Sequence, residues 1–166
     1  VSYDLQIAGQ LPEPLRAGLR TRVPNTLGRM AYFGKGPQEN YSDRSCGALL
    51  GLYRGTPEDF MHDYITPQEN GNRCDVRWLE VGSDVKLRVD AVGRAFEAGV
   101  HPYTLEELDA AKHSCDLPRH DYLTVNIDGG QQGVGGDVPA VATLKPQYKL
   151  PKMQTLTLRC ALQFKK

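Results

Sequence analysis

The sequence predicts an all-β fold, an antiparallel β-sandwich carrying one short helix, on three observations. Seventeen glycines and eleven prolines cut the 166-residue chain into short runs, the punctuation of a domain built from strands and turns. Near the C-terminus apolar and polar residues alternate strictly, so that Leu156, Leu158, Cys160, Leu162 and Phe164 share one face. That is the pattern of a half-buried antiparallel strand. One stretch alone combines a strong helix-start signal with helical spacing of its apolar residues.

Taken in order, strands are predicted over residues 3–7, 15–23, 29–33, 73–81, 85–91, 123–128, 140–148 and 155–164. The helix is predicted over 105–113. Thr104 caps it, Glu107 three residues on completes a capping box, and Glu106, Glu107 and Asp109 suit its N-terminal half. Leu105 and Leu108 face inward together with Ala111 or the aliphatic stem of Lys112. A helix this short must lie on a sheet. A weaker helical turn is predicted over 57–62. No repeat, low-complexity tract or linker divides the chain, so residues 1–166 read as a single domain.

Composition narrows the classes of function. With 40% hydrophobic and 24% charged residues, the chain suits a soluble globular domain with a real core. Twenty basic and twenty acidic residues cancel, so no basic field is available for nucleic acid. No apolar run approaches a membrane span. Bacterial cytoplasm and periplasm both stay open as compartments. Cys46, Cys74, Cys115 and Cys160 form neither a CxxC nor a Cys/His cluster, so no metal site is expected. Free, mostly buried thiols are expected, with one or two disulfides open in a periplasmic setting. No cofactor is expected. The chain starts on Val1 inside a strand-like alternation, which reads as a piece of a longer polypeptide.

Two glycine-led polar blocks stand out. The first runs Gly34-Lys35-Gly36-Pro37-Gln38-Glu39-Asn40-Tyr41-Ser42-Asp43-Arg44. Its expected role is a structural turn in which Asp43 or Glu39 pairs with Arg44 and Asn40 caps backbone groups, since a carboxylate beside an arginine keeps a low pKa and makes a poor general acid; a sugar contact by Asn40 or Glu39 is the lesser alternative. The second runs Pro67-Gln68-Glu69-Asn70-Gly71-Asn72-Arg73. If the following Cys74-Asp75-Val76-Arg77-Trp78 is extended, Arg73, Asp75 and Arg77 share one face. That face reads as the floor of a polar cleft or as an exposed ion-pair row.

A third stretch, Asn126-Ile127-Asp128-Gly129-Gly130-Gln131-Gln132-Gly133-Val134-Gly135-Gly136-Asp137, is rich in glycine. No Lys-Ser/Thr or helix pattern follows it, so nucleotide binding is not expected and a hairpin or wide loop is. Glu69, Asp75, Asp128 and Asp137 are the acids from which a glycosidase pair would have to be drawn. The acids of the two polar blocks sit beside arginines, and the histidines His62, His101, His113 and His120 show no catalytic spacing. No self-sufficient active site is legible.

In order, Leu11–Leu19, the two polar blocks, Asp75-Val76-Arg77-Trp78, the run from His101 to His113 and the glycine stretch resemble the C-terminal, small-chain domain of family 2 β-galactosidases. The resemblance implies the later part of a galactose-mutarotase-like supersandwich in a larger multidomain enzyme. It implies that both catalytic glutamates lie in a separate TIM-barrel domain, so no catalytic residue is assigned here. The implied partners are that barrel, the other domains of the parent chain and β-galactoside sugars, with a homo-oligomer left open. Glu69, Asn70, Arg73, Arg77, Gly135, Gly136, Asp137 and Ala140 are the substrate-adjacent candidates. The family typically carries a sugar-stacking tryptophan where this chain has Ala140. The implied role is a noncatalytic wall of the substrate entrance that supports the barrel. A carbohydrate-binding module and a purely structural domain are the alternatives.

Overall fold

The computed structural model describes residues 1–6, 12–136, 143–150 and 155–166. Among them lie β1 (Ser2–Gln6), β2 (Arg16–Pro24), β3 (Met30–Gly36), β4 (Leu49–Gly55), β5 (Arg73–Val76), β6 (Trp78–Gly82), β7 (Lys86–Ala91), β8 (Phe96–His101), α1 (Leu105–Ala110), β9 (Tyr122–Gln131) and β10 (Thr155–Lys165). The strands form two sheets, ordered β1-β10-β7-β6-β3-β4 and β2-β9-β8-β5, with antiparallel pairing throughout. The predicted all-β sandwich with one short helix is the observed architecture.

The core lies between the sheets, and alternation builds it. Along β3, Met30, Tyr32, Gly34 and Gly36 point inward. Tyr32 stands opposite Tyr53 of β4 and Leu79 of β6, and Leu79 stands opposite Val89 of β7. Leu123, Val125 and Ile127 of β9 join the same cluster from the other sheet. Each such side chain, fully buried, contributes roughly 1.5–3 kcal/mol. On β10, Leu156, Leu158 and Cys160 are buried as the alternation requires, whereas Leu162 and Phe164 are 37% and 72% exposed. The strand runs on past the part of the sandwich that covers it. Cys74 and Cys160 are buried and Cys46 and Cys115 exposed, all four as free thiols.

α1 carries both halves of the expected capping box. Thr104 Oγ1 accepts the Glu107 N–H (3.2 Å), and Glu107 Oε2 accepts the Thr104 N–H (2.7 Å). The helix ends at Ala110, short of the predicted 113, because Ala111 is extended and Asp116 Oδ2 takes the amides of Lys112 (3.2 Å) and His113 (2.9 Å). Leu108 is the buried residue, and Arg20 of β2 holds Glu106 at 2.7 Å. The weaker turn over 57–62 contains a 3-10 turn at Glu58–Phe60.

Several strand predictions are corrected. The segment 73–81 is two strands, not one: β5 belongs to the smaller sheet and β6 to the larger. Between them the chain changes layer, with Asp75 in the left-handed region at φ 55 and a register shift between Arg73 and Val76. Asp is among the few non-glycine residues that enter that region readily. The face shared by Arg73, Asp75 and Arg77 therefore does not form. Residues 143–148 are not a strand: Pro146–Tyr148 is a 3-10 turn, and 140–142 lie outside the described residues. Two strands had no sequence prediction, β4 and β8. β9 also extends to Gln131, which puts Asp128 inside a strand rather than at a loop end.

Candidate functional site

The sandwich brings the second polar block and the glycine stretch to opposite sides of one cleft of about 450 Å³, a size that suits a small ligand. Gln68, Glu69, Gln131, Gln132, Arg44 and Tyr64 supply its polar surface, and residues 133–136 form one wall. Among the described residues Glu69 is the one acid that lines it.

A β-bulge aims this wall. Ala17 pairs with Gly130 but Gly18 pairs with Asp128, so Gly129 has no partner on β2. Bulges re-aim the side chains beyond them. Here the next positions present Gln131 opposite Arg16. Arg16 Nη2 donates to Gln131 Oε1 (2.6 Å), ion-pairs with Asp128 Oδ2 (3.1 Å) and lies 3.9 Å from Glu69 Oε1. One guanidinium thus orients an amide and an acid of the cleft from behind, and it leans on Asp128, which is 2% exposed. Burial pushes the Asp128 carboxyl up to about 6, against the lowering pull of Arg16 and with Glu97 and Glu69 adding to the rise. Glu97, directly across the ladder on β8, is also raised by burial, although it accepts a hydrogen bond from Asn72 Nδ2 (2.8 Å).

The first block makes the opposite rim, and much of it is the turn scaffold expected. Glu39 binds Arg44 and the Tyr64 hydroxyl, and accepts the Gly71 N–H at 2.8 Å. Asn40 donates to the carbonyls of Lys35 (3.1 Å) and Gln38 (2.9 Å) and accepts the Cys74 N–H (2.8 Å). Among the described residues Asp43 pairs with neither arginine nor lysine. It accepts the amides of Val134 (3.1 Å) and Gly135 (2.7 Å) in the glycine wall, without lining the cleft itself.

The substrate-adjacent candidates fall into four groups. Glu69, Gly135 and Gly136 line the cleft. Asn70 and Arg73 are buried behind it. Asn70 Oδ1 accepts the His62 N–H (2.8 Å), its Nδ2 donates to the His62 carbonyl, and its own carbonyl meets His101 Nε2 at 2.7 Å. Arg73 donates to the Tyr32 hydroxyl (2.9 Å), the Asn72 carbonyl (2.8 Å) and the Phe60 carbonyl. Arg77 is exposed, with its guanidinium over the Phe33 ring at 5.5 Å. Asp137 and Ala140 lie outside the described residues. Gln131, Gln132, Arg44 and Tyr64 join the cleft without having been singled out as candidates. The adjacent amides Gln131-Gln132 inside a glycine run were the available signal.

Comparison with known proteins fits this arrangement to a family. Residues 1–162 match the family described as the β-galactosidase small chain. The chain belongs to this family. A β-galactosidase of Halalkalibacterium halodurans is 36% identical over 158 residues, covering 93% of this chain and 16% of that protein. A β-galactosidase of Bifidobacterium adolescentis is 33% identical over 167 residues, covering 98% and 16%. One from Vibrio cholerae is 36% identical over 162 residues, covering 96% and 15%. The chain therefore spans about a sixth of the length of these relatives.

Proposed function

We propose that this chain is the noncatalytic small-chain domain of an enzyme that hydrolyses terminal β-galactosides, and that its cleft walls the substrate entrance beside a separate catalytic barrel. The observation that carries the reading is the convergence of the two polar blocks and the glycine wall on one cleft. Half of its polar lining residues, Gln68, Gln131 and Gln132, are neutral carboxamides, which donate and accept hydrogen bonds and so suit uncharged hydroxyl groups. A glycosidase requires two carboxyls facing each other across the sugar, and Glu69 stands alone among the described lining residues. The fold reading extends to the later part of a supersandwich, with residues 1–166 as one domain that supports the barrel.

The purified chain should not hydrolyse a chromogenic β-galactoside. Turnover that disappears in Glu69→Gln would overturn the noncatalytic reading. In the β-galactosidase carrying this chain, Gln132→Ala should raise KM about two- to tenfold while kcat changes less than twofold, the effect of losing a hydrogen bond or two made to bound substrate. An unchanged KM removes the cleft from the substrate path.

Galactose and lactose should bind the isolated chain only at about millimolar dissociation constants, since sugar-binding sites rely on an aromatic platform that Ala140 does not supply. Calorimetric titration checks this. Micromolar binding lost in Gln68→Ala or Gln132→Ala would favour an autonomous carbohydrate-binding module.

A further inference from the structure

We propose that Asp43 is a positioning residue that sets the width of the cleft, and hence the fit of the sugar, by latching the glycine wall to the opposite rim. The inference rests on the cleft being the sugar-facing wall, and it assigns Asp43 a role beyond that reading.

The geometry is specific. The two carboxylate oxygens serve different amides: Oδ1 accepts the Val134 N–H at 3.1 Å and Oδ2 the Gly135 N–H at 2.7 Å. These partners are 91 and 92 residues away in sequence, so the contact ties the turn beside Arg44, which lines the cleft, to the glycine wall. Carboxylate bonds to backbone N–H groups are the stronger, charge-assisted kind. The wall is shaped to receive the carboxylate. A Cβ on Gly133 would stand 2.4 Å from Asp43 Cγ, so no larger residue fits there unless the wall moves away. Gly135 and Gly136 take φ of 74 and 93, the left-handed region that glycine enters freely. On its far side the wall is anchored again, by Gly133 N–H to the Tyr148 carbonyl at 2.8 Å.

The rim that carries Asp43 is itself rigid. Tyr41 and Arg44 close a tight turn through two backbone bonds, of 3.2 Å and 2.9 Å. Tyr41 is fully buried, and Arg44, next to Asp43, lines the cleft and is tied to Glu39. Adjacent residues of one turn therefore fix both sides of the opening, Arg44 by forming the rim and Asp43 by holding the wall at a set distance from it.

The substitution that isolates the latch is Asp43→Asn. It keeps the shape but replaces one acceptor oxygen by an N–H₂ group that faces an amide donor. Exchange of the Val134 and Gly135 amides, measured by NMR on the chain, should accelerate about tenfold or more in the variant, while Val125 and Ile127 in the β9 core stay unchanged. In the β-galactosidase carrying the chain, KM for a chromogenic β-galactoside should rise at least about fivefold, with kcat within twofold. Gly133→Ala, which wedges the wall off the carboxylate, should give the same pattern and serves if Asp43→Asn does not fold. Unchanged amide exchange, or acceleration shared equally by the β9 core, overturns the latch. Faster loop exchange with KM unmoved, while Gln132→Ala still raises KM, overturns the positioning role and leaves the cleft reading standing. If Gln132→Ala leaves KM unmoved as well, both readings fall.

Discussion

Arg73→Met should cost roughly 3–5 kcal/mol of folding stability, a large share of the roughly 5–15 kcal/mol that a domain has to lose. Methionine keeps a long apolar stem in place but abandons the Tyr32 hydroxyl and the Asn72 and Phe60 carbonyls, all of which the guanidinium serves. Arg73 is 2% exposed, so water cannot replace those bonds. The guanidinium also lies 5.4 Å from the Phe60 ring centre and 5.8 Å from that of Tyr32. It joins three segments at once: β3 through Tyr32, the turn after β4 through Phe60, and its own approach to β5. Arg77→Met is the control. That side chain is exposed and, among the described residues, makes one hydrogen bond, to the Asp75 carbonyl at 3.1 Å, besides its place over Phe33. Its loss should cost under about 1 kcal/mol. Urea unfolding of the two variants and the wild type separates them. A loss below about 1 kcal/mol for Arg73→Met would mean that the buried network holds nothing together.

The contrast between these two arginines shows where sequence reading stopped. Arg73 and Arg77 share a face only if 73–81 is extended throughout, and the period of the residues permits that reading. The chain instead changes sheets at Asp75, a tertiary event without a local apolar signature. Helix α1 was legible because the Thr104–Glu107 box is local chemistry. The missed strands β4 and β8 each contain a glycine that breaks the pattern, Gly51 and Gly99. In both, the space of the missing side chain is bounded by the ring two residues on: Tyr53 lies 3.1 Å from a Cβ built on Gly51, and His101 lies 2.8 Å from one on Gly99. Glycine there makes room for a ring within the strand, which reads in sequence as a loop. The cleft was half legible for a related reason. Glu69 and the glycines were marked by composition, but Asp43 acts across 91 residues, and nothing local predicts its partner.

Asp128→Asn should become more stable relative to the wild type as pH rises, by ~2 kcal/mol between about pH 4.5 and 7.5. The sign follows from the direction of the shift. Burial raises the native carboxyl to about 6 from its ordinary 3.8. Between those values the native chain binds a proton that the unfolded chain has released. Stability contributed by this group is therefore present in weak acid and lost as pH rises through the window. Glu97, raised by burial, acts in the same direction. His101 acts the other way: burial lowers its pKa, so the unfolded chain takes up a proton first as pH falls below about 6.5. Glu80, Asp90, Glu106 and Glu107, all lowered, also remove stability in acid. The wild-type curve mixes these opposing terms, so the difference between variant and wild type across pH is the quantity to measure by urea unfolding. A difference that stays flat from pH 4.5 to 7.5 would show that Asp128 is not held against its own charge. A buried acid retained at such a cost calls for a reason, and Arg16 supplies one. Its guanidinium rests on Asp128 while it holds Gln131 and faces Glu69. Asn in place of Asp128 removes the charge on which that guanidinium rests and should loosen its hold on Gln131 and its approach to Glu69.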